Sequence, residues 1–122
     1  MRKILIAAFF LAAAPAAAVI PSPFPPLRPD QARANLGENV IIEGTAAIHD
    51  AERRDGWYID LNGHGPSSPF AGFIPYEDLN QFPHLQEMDG KRVDITGIVQ
   101  LRRGVPIIIM TSAYQLRPAA QK

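Results

Sequence analysis

Two pairs of adjacent arginines, Arg53-Arg54 and Arg102-Arg103, are the residues of this chain best suited to hold a ligand. The planar guanidinium offers two parallel donors, a geometry that matches phosphate and carboxylate. Each pair stands in a stretch that reads as a turn, DAERRDG and LRRG, where arginine also serves simply to solvate a loop. Asp50, Glu52 and Asp55 sit beside the first pair and offset part of its charge. Tyr58 and Phe73 are the candidates for stacking on a planar ligand, an interaction worth roughly 1–3 kcal/mol per base.

Other chemistries find less support. His49, His64 and His84 match no metal-ligand spacing, and the chain has no cysteine. The fragment DLNGHG from Asp60 lacks the oxygen count and spacing of a calcium loop. Ser22, Ser67, Ser68 and Ser112 lie in no G-x-S-x-G elbow, and the pattern sets no two carboxylates on one pocket wall. A binding protein without catalytic activity, cofactor or metal is the expectation.

The first eighteen residues, MRKILIAAFFLAAAPAAA, have the parts of a secretory signal: Arg2 and Lys3, an apolar run, then small residues at a cleavage point before Val19. The apolar run falls short of the roughly 20 residues that span a bilayer. A periplasmic or secreted protein with no membrane anchor after cleavage is expected, and no disulfide staples it. Of the 122 residues, 104 would remain, enough for one domain with a modest core. Twelve basic residues would fall to ten against twelve acidic ones, a net charge of −2. That balance argues against strong non-specific affinity for nucleic acid, so any anion site must be a local cluster.

The elements that must carry these side chains follow from periodicity. Residues 19–29, VIPSPFPPLRP, are too rich in proline for a helix or a central strand and read as an extended leader. Asp30 stands where an N-cap belongs, DQARANL suits a short helix, and Gly37 ends it. From Asn39 the pattern alternates, with Val40, Ile42, Gly44, Ala46 and Ile48 on one face. GWYIDLNG alternates again, with Trp57, Ile59 and Leu61 inward and Tyr58 and Asp60 outward. FAGFIPY is a third, shorter strand. Leu79, Phe82 and Leu85 then fall at helical spacing, and Pro83 splits that helix in two. Strand four spans Val93 to Leu101, and strand five runs from Val105 towards Arg117, leaving a tail at 118–122. The domain proper is thus expected over 30–117.

One five-residue pattern occurs twice, VIIEG at 40–44 and VDITG at 93–97. Glycine weakens a strand interior, so its recurrence at the inward phase points to a sharp bend or a close backbone approach. Small closed barrels need such points, where one strand serves both halves of the sheet.

Taken with Gly90-Lys91-x-Val93-x-Ile95-x-Gly97 and Gly104-Val105-Pro106-Ile107, the pattern resembles a group of exported bacterial OB-fold domains, also found appended to some secreted nucleases. The likeness covers roughly residues 37–117. Trp57-Tyr58 and Phe70-Phe73 stand where those relatives have phenylalanine-rich strands, and in the nucleases the catalytic residues lie in another domain. The resemblance implies a mainly β fold, a five-stranded OB-fold barrel with a short N-terminal helix and a helical segment between strands 3 and 4. It also implies a ligand face flanked by the loops between strands 1 and 2 and between strands 4 and 5. Arg53, Arg54, Tyr58, Phe73, Arg102 and Arg103 would then share one groove. The partner expected there is single-stranded nucleic acid or another anionic polymer or oligosaccharide. The alternative is a small envelope protein acting through a protein partner or in a structural role.

Overall fold

The computed structural model describes residues 25–51, 55–63 and 68–119. The first eighteen residues expected to direct export, most of the proline-rich stretch at 19–29, Arg53, Arg54 and His64 lie outside the described residues.

Alternation becomes architecture strand by strand. β1 (Asn39–Asp50), β2 (Gly56–Leu61), β3 (Ala71–Pro75), β4 (Arg92–Arg102) and β5 (Val105–Ile109) form a ring in the order β1-β2-β3-β5-β4, closed by pairing of β1 with β4. All neighbours are antiparallel except β3 and β5, which run parallel. This is the OB-fold barrel expected from the sequence. A sixth strand was not expected: β5 stops at Ile109, a 3-10 turn follows at Ala113–Gln115, and β6 (Leu116–Pro118) adds to the free edge of β4. Gln115 makes this break possible. Its buried amide accepts from the Thr111 and Ser112 N–H groups and donates to the Thr96 and Ile109 carbonyls, so the chain leaves β5 without orphaned backbone.

The repeated pattern pairs with itself. Val40 stands opposite Gly97, Ile42 opposite Ile95, and Gly44 opposite Val93. Each glycine marks the place where its strand changes partner. β1 pairs with β4 up to Thr45 and with β2 from Ala46; β4 pairs with β1 up to Ile98 and with β5 from Val99. A side chain at either place would collide. A Cβ at Gly97 would lie 2.5 Å from Ile108 Cγ2, and one at Gly44 would lie 2.9 Å from Asn62 Oδ1 and 3.0 Å from Pro29. The sharp turns of the sheet therefore rest on close approach, as the sequence led us to expect.

Inside the ring lie Ile42, Ile59, Leu61, Phe70, Ile74, Ile95, Ile108 and Met110, all fully buried. Each such side chain contributes roughly 1.5–3 kcal/mol relative to exposure. Trp57 packs against this core from its inward phase. Between β3 and β4 the chain makes two 3-10 helices, Tyr76–Gln81 and Leu85–Met88, with Pro83 between them, and Phe82 and Leu85 seal the barrel. The N-terminal helix, Pro29–Asn35, is also 3-10 and begins one residue before Asp30. Its cap is Arg28, whose N–H is taken by the Gln31 side chain at 2.8 Å, while Asp30 instead pairs with the Arg28 guanidinium at 3.1 Å. Gly37 follows with φ +83°, the left-handed turn expected of it. The last residues of the proline-rich stretch belong to the packing: Leu27 bonds the backbone of Ile41 and Glu43, and Pro29 is buried.

Candidate ligand-binding face

The outward phases of five strands meet on one side of the barrel. Strand register fixes the rows: His49 on β1 faces Tyr58 on β2, which faces Phe73 on β3, which faces Ile109 on β5. In the next row Asp60 stands beside Ala71, and Ala71 beside Ile107. The rings of the first row follow one another, His49 to Tyr58 at 5.7 Å and Tyr58 to Phe73 at 5.1 Å between centroids. Ala51, Ala71, Phe73 and Ile107 form a small apolar cluster of their own, separate from the barrel core. A cleft of about 190 Å³ opens above it, lined by His49, Tyr58, Asp60, Ala71, Arg102, Arg103, Val105 and Ile107. Ligand pockets for drug-sized molecules run from about 300 Å³ upward, so this one fits a single ring or one monomer of a polymer.

The β4–β5 hairpin carries the cationic end. Its two-residue loop, Arg103-Gly104, has φ of +54° and +80°, the signs of a type I′ turn, which matches the twist of the strands it joins. From the N-terminal helix, Arg33 Nη2 donates to the Gly104 carbonyl at 2.6 Å and holds the tip. Arg102 lies over Phe73, its guanidinium carbon 4.4 Å from the ring centroid, and donates from Nη2 to Asp55 Oδ2 at 2.8 Å. Arg103 makes no ion pair among the described residues. The opposite end of the cleft is polar in another way. Asp60 is only 4% exposed, and its Oδ2 lies 2.9 Å from His49 Nε2.

Of the six residues expected to share a groove, Tyr58, Arg102 and Arg103 line the cleft, and Phe73 stands beneath it. Phe73 is on the outer face, yet it is 4% exposed because Arg102 and Tyr58 cover it. Its ring is therefore support for Arg102 and Tyr58 rather than an open stacking surface. Gly56 makes room for it, since a Cβ there would come within 2.6 Å of the Phe73 ring. Sequence reasoning missed His49, Asp60 and Asp55 as site residues. The outward phase of Tyr58 already carried Asp60 with it, whereas His49 and Asp55 become neighbours of the cleft only through register.

A second group of charges lies away from the cleft. Glu43 on β1 stands opposite Asp94 on β4, and Arg92 Nη2 bonds Glu43 at 2.9 Å. Burial and then the Glu43 carboxylate push the Asp94 carboxyl up to about 6, against the opposing pull of Arg92. Asp94 Oδ1 is buried and has no hydrogen-bond partner among the described residues. His84 pairs with Glu87 at 3.0 Å, well apart from His49 in sequence and in partner.

No family model matches the chain, and no curated protein matches it. Among solved structures it is similar to a chain described as an aspartyl-tRNA synthetase from Leishmania major Friedlin, with a TM-score of 0.54 and 10% identity. The match covers 91% of this chain and 24% of that one, so the chain spans about a quarter of the length of the structure it resembles. At that identity the likeness is one of fold alone.

Proposed function

We propose that this protein is an exported, non-catalytic OB-fold module that binds single-stranded nucleic acid or another anionic polymer across the outer face of β2 and β3. The observation that supports it most is the meeting of Arg102 and Arg103 with Tyr58 over one ring-sized cleft. A phosphate on the hairpin tip and one base or sugar against Tyr58 fit that arrangement. The fold likeness to a protein named for a tRNA substrate is in keeping with this reading. Export rests on the signal-like first eighteen residues.

The test is titration of a labelled single-stranded oligonucleotide by anisotropy at 50 and 200 mM salt. Two phosphate contacts give a slope of about −1.4 in log affinity against log salt, a loss of roughly seven-fold over that range. Participation of Arg53 and Arg54 as well doubles the slope to about −2.8. Loss of binding in Arg102→Ala/Arg103→Ala supports the reading; absence of binding at 50 mM salt rejects it. A second reading, a protein partner in the envelope, is favoured by the aliphatic floor of Ala71, Val105 and Ile107 and by the acidic balance of the chain after its first eighteen residues. Binding to such a partner would depend little on salt.

A further inference from the structure

We propose that Asp55 is a built-in competitor for the ligand's anion, occupying on Arg102 the place that a phosphate takes when the ligand binds. The inference rests on the anion-binding reading of this face and adds a regulator to it. Asp55, in the β1–β2 loop, and Arg102, at the end of β4, are 47 residues apart in sequence and meet through one contact, Nη2 to Oδ2 at 2.8 Å. Neither side chain is buried, with 35% of Arg102 and 42% of Asp55 exposed, so the pair is open to exchange with a solute anion.

Each partner is held by contacts outside the pair. The Asp55 carbonyl accepts from the Tyr76 N–H at 3.2 Å, and Ala51 N–H donates to the Gly56 carbonyl at 3.0 Å across the mouth of the loop. Arg102 rests on Phe73, and the turn beyond it is pinned by Arg33. Breaking the ion pair therefore costs the fold little and leaves the guanidinium where it is, on the ring. A guanidinium can present two parallel donors, and the Asp55 contact uses one nitrogen only. An incoming phosphate that engages two gains over the carboxylate it displaces, while a weaker anion does not. Arg103, with no ion pair among the described residues, makes first contact without competition.

The experiment uses the full chain and a labelled oligothymidylate, with four variants: Asp55→Asn, Arg102→Ala, the double variant, and Glu77→Gln. Glu77 follows Tyr76 at the same end of the barrel, is exposed, and makes no ion pair among the described residues, so it reports the effect of net charge alone. Removing an exposed ion pair that competes with the ligand tightens binding roughly two- to five-fold in Asp55→Asn. The gain should exceed that of Glu77→Gln and vanish when Arg102 is also replaced. If the natural chain binds and Asp55→Asn binds equally or more weakly, the competitor role is overturned and the anion-binding face survives. Binding by Asp55→Asn alone upholds the competitor and overturns the reading that the natural chain binds unaided. Failure of every form to bind at low salt overturns both.

Discussion

Asp94→Asn should make this protein more stable at neutral pH and leave it unchanged in acid. The carboxyl lies opposite Glu43 across the β1–β4 pairing, with one oxygen buried and unpartnered among the described residues. Burial first, and the Glu43 charge second, hold its titration at about 6. In the unfolded chain an aspartate titrates near ~3.9. The folded state thus keeps the proton more tightly, so this group's contribution to stability is full below about pH 4 and is lost as pH rises through about 6. At full strength the difference is about 3 kcal/mol. Asp94 is only half-buried, and solvent screening reduces that to about 1–2 kcal/mol. Asparagine keeps the shape and a donor towards Glu43 and never charges. Thermal unfolding followed by circular dichroism at pH 4, 5, 6 and 7.5 reads the difference, an increase of about 5–10 °C at pH 7.5 for a domain of this size. A gain that is the same at every pH would refute the reasoning, because packing and not ionisation would then be its source. A loss at pH 7.5 would refute it more directly.

Three further outcomes test the fold and the hairpin. Gly97→Ala should cost about 1–3 kcal/mol in urea unfolding, because its Cβ meets Ile108 at 2.5 Å inside the packed ring. Asn62→Ala should cost about 1–2 kcal/mol, since Asn62 has φ +61° and its Oδ1 takes the Thr45 N–H at 2.9 Å where β1 changes partner. Arg103→Asn should separate stability from binding. It gives the type I′ turn its preferred Asn-Gly pair and adds about 0.5–1 kcal/mol, measured by thermal melts. The same variant removes one phosphate contact, so the salt slope should fall by about 0.7.

Much of the barrel was legible because its strands obey a simple rule: one face is dry. The inward phase of β1, β2 and β4 named Ile42, Ile59, Val93 and Ile95 correctly, and the repeated glycines marked where strands turn. What alternation cannot supply is register. The repeat pairs antiparallel with itself, and only then does Glu43 of one copy come to face Asp94 of the other. Either carboxylate alone looks like an ordinary exposed residue of a strand. The same limit hid the cleft. Phe73 has the outward phase a stacking residue needs, but the side chain that covers it arrives from a strand almost thirty residues later. The early end of β5 was hidden too, because Gln115 reads as one more residue of strand five until its amide is seen to bridge Thr96 and Ile109.

The seam between β1 and β4 has a consequence for how the chain reaches this state. Its pairs join residues 47 to 59 positions apart, from Thr45 with Arg92 to Asn39 with Ile98. Closing a loop of that length costs roughly 3–4 kcal/mol of chain entropy before any contact is gained. Hairpins β1–β2, β2–β3 and β4–β5 are local and can form early, but none of them encloses a core. Folding of this barrel is therefore expected to be slow for its size, with the seam as a late step. A chain cut between β3 and β4 would leave two pieces with open strand edges and no closed sheet in either.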